Sequence, residues 1–120
     1  MPVRSLNSSV LRWPDFFAVD RAVRAWAEET ARLRPEVLRI GYFGSYARGD
    51  WGVGSDLDLV VIVKGSESPF ERRRIGWGTD LLPVPTDLLV YTKEEWKAVQ
   101  DKGRFSKMLS SDTRWVYVRE

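Results

Sequence analysis

The sequence predicts an α/β domain in which a mixed, twisted sheet is flanked by helices in at most three layers. Apolar runs of strand length recur at Val37–Phe43, Leu57–Val63 and Val84–Tyr91. A stretch with helical periodicity precedes the first run, and helix-start patterns follow the second and third. Such alternation within 120 residues favours a layered α/β arrangement over a bundle or a sandwich.

Each element has its own reason. Met1 to Arg12 is polar and Ser-rich, and is expected to be a short edge strand or a loose arm. Between Pro14 and Arg34 the apolar residues Phe16, Val19, Val23, Trp26, Ala27 and Leu33 recur at helical spacing. Pro35 ends that helix, because the residue before a proline is pushed out of the α region. Val37–Phe43 reads as the first strand. Leu57–Val63 is apolar almost throughout, as a central strand should be. Lys64 to Ser68 is a loop. Ser68-Pro69-Phe70-Glu71 then reads as a capped helix start, with proline at the first helical position and the helix ending around Gly76. Val84–Tyr91 is the third strand. Thr92-Lys93-Glu94-Glu95 is a second capping-box pattern, opening a helix that turns Trp96 and Val99 inward and ends near Gly103. A short helix over Phe105–Leu109 and a last strand over Arg114–Val118 complete the domain, which is expected to span 1–120 as one unit.

Composition narrows the chemistry. With 43% hydrophobic and 12% aromatic residues the chain can build one ordinary core. It has no cysteine, which excludes disulfides, thiolate metal sites and thiol catalysis. It has no histidine either, so any acid–base or metal work falls to carboxylates. Nineteen cations against 17 anions, a net charge of +2, is too even to argue for nucleic-acid binding. No run is long and apolar enough for a membrane span or a signal-peptide core, so a cytoplasmic setting is expected.

The richest stretch lies between the first two strands. Gly44-Ser45 forms a turn after Phe43; ten residues later Asp56 and Asp58 flank Leu57 at the head of the second strand. Strand side chains alternate, so both carboxylates project from one face. Side by side they repel each other and resist desolvation unless a cation sits between them. A hard divalent ion, Mg²⁺ or alternatively Mn²⁺, suits such oxygen ligands and brings phosphates with it. The Gly-Ser turn, opening a short helix over Ser45–Arg48, offers backbone N–H groups to an anion.

Gly-Ser, ten residues, then Asp-x-Asp resembles the signature of the nucleotidyltransferase superfamily whose best-known member is DNA polymerase beta. The form Gly-Ser-Tyr-Ala-Arg-Gly with Ser-Asp-Leu-Asp-Leu is most similar to its minimal nucleotidyltransferase (MNT) branch, over roughly Val37 to Tyr91. The resemblance implies the single-domain nucleotidyltransferase fold and a third carboxylate, at Asp87. It implies catalysis and metal binding by Asp56, Asp58 and Asp87, with Gly44, Ser45, Arg48 and Ser55 binding the nucleotide. The implied reaction moves a nucleoside monophosphate, AMP from ATP in the first instance, onto a hydroxyl by a two-metal mechanism. Larger relatives grip their acceptor with an extra domain, so a partner or self-association is expected to complete the site here. In the minimal branch that partner is a helical HEPN protein, and the pair forms a toxin–antitoxin system.

Two other functions remain open on the residues alone: transfer to a small molecule such as an aminoglycoside, and a binding module that inhibits a partner by contact. Around this core, Trp51 is expected to anchor its loop more than to stack on a base. The Arg72-Arg73-Arg74 run is expected to be a solvated helix face before a phosphate contact.

Overall fold

The computed structural model describes residues 13–99 and 103–119. The arm expected over Met1–Arg12 lies outside them. Helix α1 spans Phe16–Leu33, opened by Asp15, whose carboxylate accepts the Ala18 N–H at 2.8 Å, and closed by an extended Arg34 before Pro35. Val19, Val23, Trp26, Ala27, Thr30 and Ala31 form its buried stripe. Leu33 belongs to that stripe by spacing, yet it is 63% exposed and lines an open groove with Leu81.

Strands β1 (Val37–Phe43), β2 (Leu57–Val63), β3 (Thr86–Thr92) and β4 (Arg114–Val118) form one sheet in the order β3-β2-β1-β4. The β2–β3 pair is parallel and the other two pairs are antiparallel, so the sheet is mixed. β3 starts later than its apolar run, since Pro85 has no N–H for the ladder; its carbonyl instead accepts the Leu57 N–H at 2.8 Å.

Alternation along β2 assigns the two faces. Leu57, Leu59, Val61 and Val63 pack towards α1 with Val19, Val23 and Trp26. Val60 and Ile62 pack on the other face with Leu38, Phe43, Trp96 and Leu109. Trp96 comes from α3 (Lys93–Val99) and Leu109 from α4 (Gly103–Asp112). The result is the three-layer domain expected, with α4 longer than the sequence pattern implied.

The capping box before α3 is realised: Glu95 accepts the Thr92 N–H at 2.8 Å, and the Thr92 hydroxyl accepts the Glu95 N–H at 3.2 Å. The one expected at Ser68 is not. Only a 3₁₀ turn forms, over Phe70–Arg72, and its cap residue Pro69 makes no side-chain bond. Tertiary contacts override the local signal. Arg73 turns inward, 9% exposed, to form a bidentate pair with Glu95 and to reach the carbonyls of Ser68 and Val90. The Trp77 indole N–H donates to the Arg73 carbonyl, an acceptor that a continuing helix would need. Arg73 is therefore structural, while Arg72 and Arg74 are exposed.

Candidate active site

Beyond the end of β1 the chain turns at Gly44 into a single helical turn, α2 (Ser45–Arg48), which Gly49 closes in the left-handed region. Gly44 has φ 75°, and a Cβ there would collide with the Asp58 carboxylate oxygen Oδ2. Two constraints thus converge on glycine: a backbone that L-residues avoid, and a carboxylate occupying the space where a side chain would begin. The Gly-Ser turn and the Asp-x-Asp strand head are in contact.

The loop between α2 and β2 is held by aromatic packing. Tyr46 is fully buried and stacks on Trp51 with centroids 5.5 Å apart and planes 9° from parallel. Its hydroxyl accepts the Trp13 indole N–H at 2.9 Å and donates to the Ser55 carbonyl at 3.4 Å. Trp51 is a loop anchor, as expected. Ser55, a candidate nucleotide ligand from the sequence, here accepts the Gly52 N–H on its Oγ at 2.8 Å and so shapes the approach to Asp56. Sequence reasoning passed over Tyr46, although it sits inside the motif.

The carboxylates come next. Asp58 lies opposite Phe43 on one side and in parallel register with Asp87 on the other. Residues paired in register on neighbouring strands project from the same face. Asp58 is half-buried, whereas Asp56 and Asp87 are exposed. Burial above all, then the charges of Asp87 and Asp56, push the Asp58 carboxyl up to about 6, while the Arg48 charge pulls the other way. All three carboxylates and Arg48 therefore share one electrostatic neighbourhood. Arg48 also pairs with Asp50 at 3.2 Å, an exposed contact of little energetic weight. Among the described residues, no three carboxylates are drawn together tightly enough to hold a metal by themselves. The donor set is nevertheless all oxygen and carries an excess of negative charge around Asp58, which suits a hard divalent cation accompanied by phosphate oxygens.

The pattern of the nucleotidyltransferase domain family matches residues 23–115, taking in β1, the Gly44–Asp58 connection and β3. The chain belongs to this family. A segment of 43 residues is 40% identical to MJ0141 of Methanocaldococcus jannaschii, provisionally named a protein adenylyltransferase; the match covers 36% of this chain and 43% of that protein. A crystal structure from Sulfolobus solfataricus, provisionally assigned as a nucleotidyltransferase, superposes with a TM-score of 0.63 at 22% identity, covering 87% of this chain and 84% of the other. A toxin–antitoxin structure with AMP-PNP superposes at 0.57 with 16% identity, over 81% of this chain and 74% of that one. A mutant of the toxin–antitoxin pair MntA–HpeT gives 0.55 at 13% identity, with the same coverage. At these identities the superpositions establish the shared nucleotidyltransferase fold.

Proposed function

We propose that this chain transfers AMP from ATP to a hydroxyl of a partner protein, and that it is the antitoxin half of an MNT–HEPN pair acting in the cytoplasm. The observation that carries the reading is the seating of Asp58, pressed against the one position of the Gly-Ser turn that admits no side chain and in register with Asp87. A phosphate-binding turn and an acidic strand pair placed at one point make a site for a metal-bound triphosphate. The relative named as a protein adenylyltransferase and the toxin–antitoxin neighbours support the acceptor and the partner.

Asp56, Asp58 and Asp87 would hold two Mg²⁺ ions only jointly with the oxygens of the triphosphate, which complete the donor set the carboxylates do not close by themselves. When bound, the ions neutralise the phosphates and lower the pKa of the attacking hydroxyl. The remaining work belongs to the chain. Gly44 and Ser45, with Arg48, orient the β and γ phosphates, and Ser55 borders the site. The acceptor oxygen attacks the α-phosphorus in line with the departing pyrophosphate; one P–O bond forms and one breaks. Asp87 takes the hydroxyl proton, since no histidine is available to do so. Positioning and charge neutralisation supply most of the rate in phosphoryl chemistry of this kind.

The test is intact-mass analysis of the co-expressed neighbouring helical protein after incubation with each NTP and Mg²⁺. A gain of one or more AMP units with ATP is expected. No mass change with any NTP would remove the protein-acceptor reading, and turnover of a free aminoglycoside in its place would establish the small-molecule alternative.

A further inference from the structure

The carbonyls of α2 show what holds the Gly-Ser turn in place. The Gly44 carbonyl accepts the N–H groups of Ala47 and Arg48, and the Ser45 carbonyl accepts those of Gly49 and Asp50. The last carbonyls of a helix have no partner inside it, and a buried one must find a partner elsewhere. Ala47 is only 6% exposed, and its carbonyl is satisfied from far along the chain: the Arg114 Nε–H donates to it at 2.9 Å.

Arg114 is the first residue of β4 and pairs with Tyr42 in β1, two residues before Gly44. Its guanidinium lies 5.5 Å from the Phe16 ring, at the start of α1. Its charge also acts on Asp20, which accepts the Tyr42 hydroxyl at 2.8 Å and pairs with Arg24 at 2.8 Å. The strand is brought close by a second glycine without side-chain space. A Cβ at Gly41 would lie 2.8 Å from the Arg114 carbonyl and equally near Thr113 and Trp115, at the point where the β1–β4 register shifts. One guanidinium therefore joins β4, α1 and the carbonyl end of α2, the end at which a cation is favourable.

We propose that Arg114 is a positioning residue that braces the Gly44–Arg48 turn through the Ala47 carbonyl, holding Gly44 and Ser45 beside Asp58, where the proposed function puts a nucleotide's phosphates. The inference rests on the nucleotidyltransferase reading above. It assigns Arg114 no contact with substrate. Loosening the brace weakens the grip on phosphate wherever that grip comes from the turn, and leaves the carboxylates in place.

Affinities for Mg²⁺ with a non-hydrolysable ATP analogue, and for Mg²⁺ with tripolyphosphate, test this in the full chain by calorimetry. Arg114→Met keeps an unbranched side chain of similar length and removes both the hydrogen bond and the charge. It is expected to weaken both ligands by about tenfold, the scale of one charge-assisted hydrogen bond. Arg114→Lys keeps the charge and should lie between, about threefold weaker than wild type. A purely structural role would weaken both ligands only by the factor by which the folded fraction, read by circular dichroism, falls; the brace predicts the tenfold loss in a variant that is fully folded. Wild-type affinity in folded Arg114→Met overturns the inference alone. If Arg114→Met does not fold, unchanged affinity in Arg114→Lys overturns it. A wild-type protein that binds neither ligand overturns the nucleotidyltransferase reading, and this inference with it.

Discussion

At Asp58 two demands conflict. The carboxylate is half-buried beside Gly44, and the charges of Asp87 and Asp56 face it. Its pKa stands at about 6 in the folded chain against an ordinary 3.8, so the folded state holds an extra proton between those values. Stability from this group therefore falls as pH rises through that window and stays reduced above it. Asp20 and Glu95 act in the opposite sense, because hydrogen bonds hold both carboxyls below their ordinary values despite burial. A difference experiment separates these contributions. Asp58→Asn is expected to be more stable than wild type near neutral pH, with the advantage in Tm growing as pH rises from about 4 to about 7. An advantage that is absent, or that shrinks over that range, would show that Asp58 is not electrostatically strained. The repulsion between Asp56 and Asp58 was legible in the sequence, but the half-burial of Asp58 against Gly44 was not. The spacing from Gly-Ser to Asp-x-Asp showed that the motif existed, but the contact between Gly44 and Asp58 depends on β1 and β2 lying side by side.

Elements divide by what decides them. β1, α2 and β2 were legible to the residue, because an apolar run beside Gly, Pro or Asp fixes a buried strand and Gly49 closes α2; β4, only partly buried, was legible from its alternating Trp115-Val116-Tyr117-Val118 run. The α3 start was legible because a capping box is a local bond pair. The helix expected after Ser68 was not, because Arg73 serves Glu95 and the carbonyls of Ser68 and Val90 in preference to a solvated helix face. Arg114 left no local signal: its partner Ala47 is 67 positions away. The Arg73–Glu95 pair joins the connection after β2 to the capped start of α3. Glu95→Ala removes both the cap to Thr92 and the anionic partner of a buried guanidinium. The expected loss is about 2 kcal/mol, seen as a lower urea midpoint with an unchanged m-value. Glu95→Gln keeps an acceptor for the Thr92 N–H and should recover part of it. An unchanged midpoint for Glu95→Ala would mean that the pair contributes nothing to the fold.

On the scale of the whole molecule, a three-layer domain of the nucleotidyltransferase family carries its candidate chemistry at one end of the sheet. There β2 and β3 run parallel, and α2 closes the end of β1. No helix among the described residues is long and apolar enough to cross a membrane. Under the proposed function these carboxylates neutralise a partner by modifying it. The most direct measurement compares wild type with Asp58→Ala for modification, binding and neutralisation of the helical partner, side by side, with Mg²⁺ and ATP present. Removing Asp58 takes away a metal ligand and relieves repulsion, so the fold and the broader partner surface should persist. Transfer is expected to fall by roughly a thousandfold, at about 1.4 kcal/mol per factor of ten. A variant that binds the partner but neither modifies nor neutralises it is the predicted result. A variant that still neutralises fully would contradict the account and leave inhibition by contact in its place.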